Sequence, residues 1–586
     1  MKLLVWALLL LCIPAAFAQE GSIKLLALSE KSDGSTEGIV ADLDLEVTDG
    51  AGRVFLETFP LTKITTQVSM RFAQQVACKE LDIDCSDRDF FFTVKALPGV
   101  VGGPSAGSAA AVLAASLIAD LRLRNDTVIT GTINSGGVIG PVGGLKEKIE
   151  AAAAAGMKRA LIPQGTAMQG ENETNETIDL VAHGKAHGIV VIEVATLLEA
   201  LEHYTGKEFP GTDGELVIEQ RYASTMQDIS RDLCNRTAQI HALLEQKRTG
   251  ANTTELEKQA ANFSQRAQEV ASAGQHYAAA SFCFRSNVLE KRALALQRTW
   301  NERMIASALL ELRGKLVNTS QAMDKRPVDT ISDVQTYMAV KERLFEVDDS
   351  LLEILGKLNE TQDNAERLAY AEERLFSAVT WSRFFNGNDK KFVVDQPALR
   401  NSCIAKISEA EERINYVRSF LPTSLGDARR ELDKAYADLS THNYTLCLYK
   451  ASKTKAEADV ILGLIGVPEP RMAELIDLKQ EIAKDALIKS QRKGIFPIIG
   501  YSYYEYAGSL KEIDRYSSLL FFEYALEFSN MDIYFSKKQQ NPVNIWRALE
   551  QHTGWLIAGV ILGLFIAIFV DLLQQSWRGP RRKFYK

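Results

Sequence analysis

Ser105 and Lys148 are a hydroxyl and an amine of the kind that together can break an acyl bond. Ser105 lies in Gly102-Gly103-Pro104-Ser105-Ala106-Gly107, and Lys148 lies in Pro141-Val142-Gly143-Gly144-Leu145-Lys146-Glu147-Lys148-Ile149. Between them runs Ile129-Thr130-Gly131-Thr132-Ile133-Asn134. A serine attacks a carbonyl when a base takes its proton. A lysine is that base near neutral pH only when desolvation or neighbouring positive charge keeps it neutral. The implied chemistry is acyl transfer, with backbone N–H groups at a helix start able to hold an oxyanion.

Two helices must position these groups. Pro104 suits a first helical turn, where its missing N–H costs nothing. The apolar run Ala106 to Ala119 continues it as a buried helix, placing Ser105 in the first turn. A second helix is expected from about Gly144 to Ala155. Its phase puts Lys148 on one arc with Leu145, Ile149, Ala151, Ala152 and Ala155, and points Lys146 away, beside Glu150. By residue type alone, Ser105 also reads as an ordinary helix cap and Lys148 as a lysine snorkelling at the edge of an amphipathic helix.

Both boxes resemble the proteolytic domain of the Lon protease family, whose signatures are a glycine-proline-serine-alanine-glycine box and a later proline-apolar-glycine-glycine-leucine-lysine-glutamate-lysine box. The resemblance runs from about Ile23 to Tyr204. It implies that Ser105 is the nucleophile, Lys148 the general base and Thr130 an accessory residue near the dyad. It also implies protein or peptide substrates, and rings of six are common in the family. This chain departs from the family pattern at Gly102 and Thr132, where many members carry acidic residues, and at Phe91 and Thr93, where many carry histidines. No G-x-x-x-x-G-K-[ST] motif occurs in the 586 residues, so activity within this chain is expected to be ATP-independent, with no cofactor.

Around the boxes the pattern is that of an α/β domain over residues 23–205. Apolar runs Gly38 to Val47 and Arg53 to Leu61 flank the turn Asp49-Gly50-Ala51-Gly52. A helix Thr65 to Leu81 follows. Strands are expected near 90–94, 127–133, 158–163 and 189–194, then a helix Ala195 to Tyr204. Residues 211–549 change character and read as an all-α domain. Long helical runs include Glu215 to Arg248, Glu290 to Leu316, Val334 to Leu358 and Met472 to Arg492, divided by prolines such as Pro327, Pro422 and Pro468. Heptads do not persist, which disfavours a true coiled coil.

The two ends suggest a topology. Residues 1–18 read as a secretory signal ending in Ala16-Phe17-Ala18. Gly554 to Val570 is apolar without interruption, so residues 554–573 are expected to span a membrane, with 574–586 as a basic cytoplasmic tail. The bulk of the chain is then extracytoplasmic in a type I orientation. Cleavage after Ala18 removes Cys12 from the 7 cysteines, and the others form the local couples Cys78–Cys85, Cys234–Cys283 and Cys403–Cys447. Asn-x-Ser/Thr sites at Asn125, Asn172, Asn175, Asn235, Asn252, Asn262, Asn318, Asn359 and Asn443 suit exposure to glycosylation. The net charge of −8 argues against nucleic acid as a partner, and the 7 histidines show no metal-ligand spacing. The expected protein is a membrane-anchored, ATP-independent serine endopeptidase acting outside the cytoplasm. A catalytically silent scaffold or receptor that binds partners through its helices, and a protease that cuts only itself, are the alternatives.

Overall fold

The computed structural model describes residues 18–30, 36–59, 64–95, 103–170, 177–209, 211, 214–385, 396–421, 425–465, 467, 469–531, 559, 561–570 and 572–573. Residues 1–535 form one compact body and residues 536–586 a second. The leader up to residue 17, Gly102, Asn172, Asn175, residues 532–558 and the basic tail lie outside the described residues.

The α/β part contains strands β1 (Gln19–Glu30), β2 (Thr36–Asp49), β3 (Val54–Phe59), β4 (Arg88–Lys95), β5 (Thr127–Ile129), β6 (Thr132–Ile133), β7 (Ile139–Gly140), β8 (Arg159–Pro163), β9 (Met168–Gly170), β10 (Thr177–Asp179) and β11 (Val190–Val194). Its helices are α1 (Ile64–Glu80), α2 (Gly107–Ile118), α3 (Leu145–Ala154), α4 (Leu180–Ala186) and α5 (Leu197–Thr205). Seven strands make one mixed sheet in the order β11-β8-β5-β1-β2-β4-β3. β11, β8, β5 and β1 run parallel, β2 is antiparallel to β1 and β4, and β3 is parallel to β4.

Alternation along the strands feeds two cores. On one face Leu25, Leu43 and Phe92 pack with Met70 of α1, Leu113 of α2 and Leu201 of α5. On the other, Leu26, Val128 and Ala160 pack with Leu145 and Ile149 of α3 and Leu180 of α4. The helices that carry Ser105 and Lys148 therefore lie on opposite faces of the sheet.

Two sequence expectations need correction. β2 and β3 flank the expected turn but do not pair, because β4 inserts between them. The Asp89 carboxylate of β4 accepts the Ala51 and Arg53 N–H groups at 2.8 and 2.9 Å and pairs with the Arg53 guanidinium, pinning the turn to β4 rather than closing a hairpin. The run Glu290 to Leu316 is two helices. One ends at Leu296 and the next begins at Glu302, where the Asn301 side chain caps the Met304 N–H at 3.0 Å.

The rest of the first unit is helical: α6 (Gln220–Gln246), α7 (Thr254–Ser272), α8 (His276–Leu296), α9 (Glu302–Asp324), α10 (Ile331–Gly356), α11 (Thr361–Trp381), α12 (Gln396–Phe420), α13 (Gly426–Ser440), α14 (Tyr444–Leu464), α15 (Met472–Arg492), α16 (Ile498–Leu510) and α17 (Arg515–Ser529). The three expected disulfides are present, Cys78–Cys85, Cys234–Cys283 and Cys403–Cys447. The described sequon asparagines, Asn125, Asn235, Asn252, Asn262, Asn318, Asn359 and Asn443, are all exposed. In the second unit residues 561–570 and 572–573 are helical, and Ile561, Leu564, Phe565, Ile568 and Phe569 are exposed. Among the described residues no helix is long and apolar enough to cross a membrane; the expected span 554–573 falls partly outside them.

The helical part docks on the α/β part through buried charge. Glu527 of α17, 1% exposed, accepts the Ser135 hydroxyl at 2.7 Å and the Lys406 ammonium at 3.0 Å, and also pairs with Lys455. Lys406 also meets Glu409 at 2.7 Å and Lys455 meets Asp459 at 2.8 Å. Arg413 joins Asp459 and Asn134, each at 2.6 Å. Removing one member of such a set leaves buried charge uncompensated. Glu527→Ala is expected to destabilise the chain by about 3–5 kcal/mol, against about 1 kcal/mol for Ser135→Ala, which removes one hydrogen bond. Denaturant unfolding of the purified chain checks this; equal, small losses would mean the network does not hold the two parts together.

Candidate active site

Ser105 sits in a short 3-10 turn, Pro104–Ala106, that leads directly into α2. Gly103 precedes it at φ 124°, a conformation that favours glycine, and no atom of the described residues lies where its side chain would be. Ser105 is half-buried. Its carbonyl oxygen accepts the Gly131 N–H at 3.2 Å, and the Gly131 carbonyl accepts the Ser108 N–H at 3.1 Å. The start of α2 is thus stitched to the segment after β5.

That segment differs from the single strand expected over 127–133. The strand breaks at Thr130-Gly131 and resumes as β6, which turns back against β7. Only glycine fits at position 131. A side chain at Gly131 would fall 2.5 Å from Ile139. Thr130 keeps its N–H on Leu161 of β8 at 3.1 Å and is wholly buried.

Lys148 reaches Thr130 from the other face. Its Nζ donates to Thr130 Oγ1 at 3.3 Å, and the residue is 2% exposed. Among the described residues no carboxylate lies within ion-pair range of it. Burial lowers its pKa from 10.5 to about 7, with Glu147 opposing. The helical phase holds for Leu145, Lys148, Ile149 and Ala152, which are all buried; Ala155 is exposed because it caps the end of α3. Lys146 is half-buried, less open than an outward-pointing lysine should be.

Close backbone contact fixes α3. A side chain at Gly38 of β2 would lie 2.0 Å from the Glu147 carbonyl oxygen and 3.0 Å from the Lys148 nitrogen. Gly144, at φ 65°, starts the helix against Leu28. The structure thus joins Thr130 to Lys148 by a hydrogen bond, and Gly131 joins Thr130 to Ser105 along the chain.

Sequence reasoning missed the helical side of this site. The Gly143 N–H donates to the Tyr416 hydroxyl of α12 at 3.2 Å, and Phe420 packs so closely that a side chain at Gly143 would fall 2.9 Å from its ring. Burial pushes the Tyr416 phenol up to about 12, so it stays a neutral hydroxyl. No short-range pattern could reveal a contact between residues so far apart in the chain. Likewise, two of the histidines meet an acidic residue from another helix. Glu150, His183 and His187 offer ligand atoms within 4.8 Å of one another, with His183 Nε2 3.0 Å from Glu150 Oε1.

The buried lysine has a stability signature. Between about pH 7 and 10.5 the unfolded chain holds a proton on Lys148 that the folded chain lacks, so stability rises with pH across that window and the penalty is full below it. Lys148→Met is expected to raise the unfolding temperature, most at acidic pH, and to flatten that rise. Thermal unfolding at about pH 6, 8 and 10 checks this; an unchanged slope would place the ammonium in water.

Residues 69–199 match the family model of the Lon protease (S16) C-terminal proteolytic domain. The Lon protease of Paraburkholderia phytofirmans is 36% identical over 126 residues, 21% of this chain and 16% of that protein. The archaeal Lon protease of Archaeoglobus fulgidus is 30% identical over 183 residues, 31% of this chain and 28% of that one. The Lon protease of Helicobacter pylori is 49% identical over 61 residues, 10% and 7% of the two chains. The chain therefore spans well under a third of the length of these relatives.

Proposed function

Because the chain carries a Lon-family proteolytic domain, which is of the serine peptidase type, we propose that it is an ATP-independent endopeptidase with a Ser105–Lys148 dyad. The observation that carries this reading is the buried Lys148 ammonium position, bonded to Thr130 and approaching from the sheet face opposite to Ser105. Lys148 takes the proton of Ser105 as its oxygen attacks a scissile carbonyl, and returns it to the leaving amine. Thr130 orients Lys148 through its hydroxyl. Backbone N–H groups at the start of α2 hold the oxyanion. The substrates are proteins or peptides.

We further propose that the peptidase is anchored to a membrane by residues 554–573 with its bulk outside the cytoplasm. Support comes from the apolar run Gly554 to Val570, the basic tail after it, and the exposed Ile561, Phe565 and Phe569. The family's rings of six make a homo-oligomer part of this reading. A second reading, a silent scaffold, draws on the cover that Tyr416 and Phe420 place over Gly143.

Ser105→Ala, Lys148→Ala and Lys148→Arg are each expected to lower hydrolysis of a casein-type substrate, without ATP, by about 100-fold or more, since each removes a nucleophile or a base. Lys146→Ala should leave most activity. The assay uses the full chain in detergent, together with a serine-reactive probe. Loss of activity from Lys146→Ala equal to that from Lys148→Ala would mean the wrong lysine is assigned. A folded wild type that neither cleaves nor takes the probe would favour the scaffold.

A further inference from the structure

Away from the peptidase site, the helical part holds a cavity of about 340 Å³ where α6, α8, α10, α11, α14, α16 and α17 converge. That volume falls in the range of small-molecule sites. Its walls are aromatic. Tyr277 meets Trp381 edge-on at 5.7 Å, Tyr503 at 6.3 Å and Tyr506 at 6.0 Å. Four cations line it, Arg285, Arg343, Arg374 and Lys453, with one carboxylate, Glu342.

Two of the cations are paired. Lys453 lies 2.5 Å from Glu342, and Arg374 lies 2.5 Å from Glu346. The other two form no salt bridge among the described residues; Glu342 acts on Arg343 and Asp514 on Arg285 at longer range, and Arg285 also meets the Tyr506 hydroxyl. Arg343 is 7% exposed and lies over the Trp381 ring at 4.4 Å. Its Nε donates to Ser377 at 3.3 Å and its Nη1 to the Ala339 carbonyl at 2.6 Å. Arg285 is exposed and lies over Phe263 at 5.0 Å. The pocket thus runs from a cation in solvent to one in the interior.

Four cations outnumber the single carboxylate of the lining, and the planar fork of a guanidinium matches a carboxylate. The remaining surface suits a flat apolar body. We propose that this cavity binds an organic carboxylate with an aromatic body, its charged group held by Arg343 and Arg285 and its ring by Tyr277, Trp381 and Tyr506. Phosphate without such a body would leave the aromatic walls unused. The carboxylate could belong to a free small acid or to the C-terminal residue of a peptide, and both present the same chemistry.

Calorimetric titration of the full chain in detergent tests this with N-acetyl-phenylalanine, its neutral carboxamide, acetate, and the peptide Gly-Gly-Gly-Phe with a free C-terminus. The acid is expected to bind one per chain, at least about tenfold more tightly than the carboxamide or acetate, because a charge-assisted pair is lost in one case and the ring in the other. Arg285→Gln, a change at an exposed position, should weaken the acid several-fold and leave the carboxamide unchanged. Equal binding of acid and peptide assigns the site to chain ends, and binding of the acid alone assigns it to a small metabolite. Equal affinity for acid and carboxamide, no binding at millimolar acid, or an unaltered Arg285→Gln variant would each overturn the proposal. The acid–carboxamide comparison is made on the unmodified chain, so it stands even if an Arg343→Gln variant fails to fold.

Discussion

An amine kept out of water is the constraint on which the α/β part depends. Lys148 has the length and the charge to escape to solvent, and lysines are rarely this buried without a carboxylate. Here α3 is pressed against β2 at Gly38 so closely that no side chain fits, and its first residue turns on a left-handed Gly144. Leu145, Ile149 and Ala152 are buried on the same helix with Lys148. The helix cannot roll outward without opening that core. The same packing that stabilises the sheet therefore holds the pKa of one lysine at about 7, at a cost to stability that the cores must cover.

The helical part meets this core with the opposite kind of contact. Its junction with the α/β part holds buried lysines, an arginine and carboxylates, beside a small apolar patch of Val138, Ile482, Ala486 and Leu526. Buried ion pairs add little net stability compared with apolar packing, but they fit in only one register. The segment gripped this way is Ile133 to Gly143, which joins Thr130 to α3. Helices that look independent in sequence thus set the shape of the loop between the two halves of the proposed dyad.

What could be read from the sequence, and what could not, follows the range of each interaction. The phase of α3 is local, so burial of Lys148 with Leu145 and Ile149 was legible. The cysteine couples are neighbours in sequence order, 7, 49 and 44 residues apart, and their pairing was legible too. The insertion of β4 between β2 and β3 was not, because it depends on Asp89 receiving N–H groups from Ala51 and Arg53, an arrangement a turn motif does not encode. The division of Glu290 to Leu316 had a signal in Asn301 before Glu302, which the continuous helical composition masked. The contacts of Tyr416 with Gly143 and of Glu527 with Ser135 are purely tertiary. So is the gathering of Glu150 with His183 and His187 from two helices.

The bond between Ser135 and Glu527 spans 392 residues of chain. A ribosome adds about 5–20 residues per second, so about 20–80 s pass between the two partners during synthesis. Arg413 and Tyr416 of α12 are made first and can reach Asn134 and Gly143, but Ser135 has no Glu527 carboxylate to donate to until the end of that interval. The last long helix of the first unit closes the junction. A hydrolytic fold built in this order acquires its final loop geometry only when nearly all of the chain has been made, which separates the time of its folding from the time of its completion.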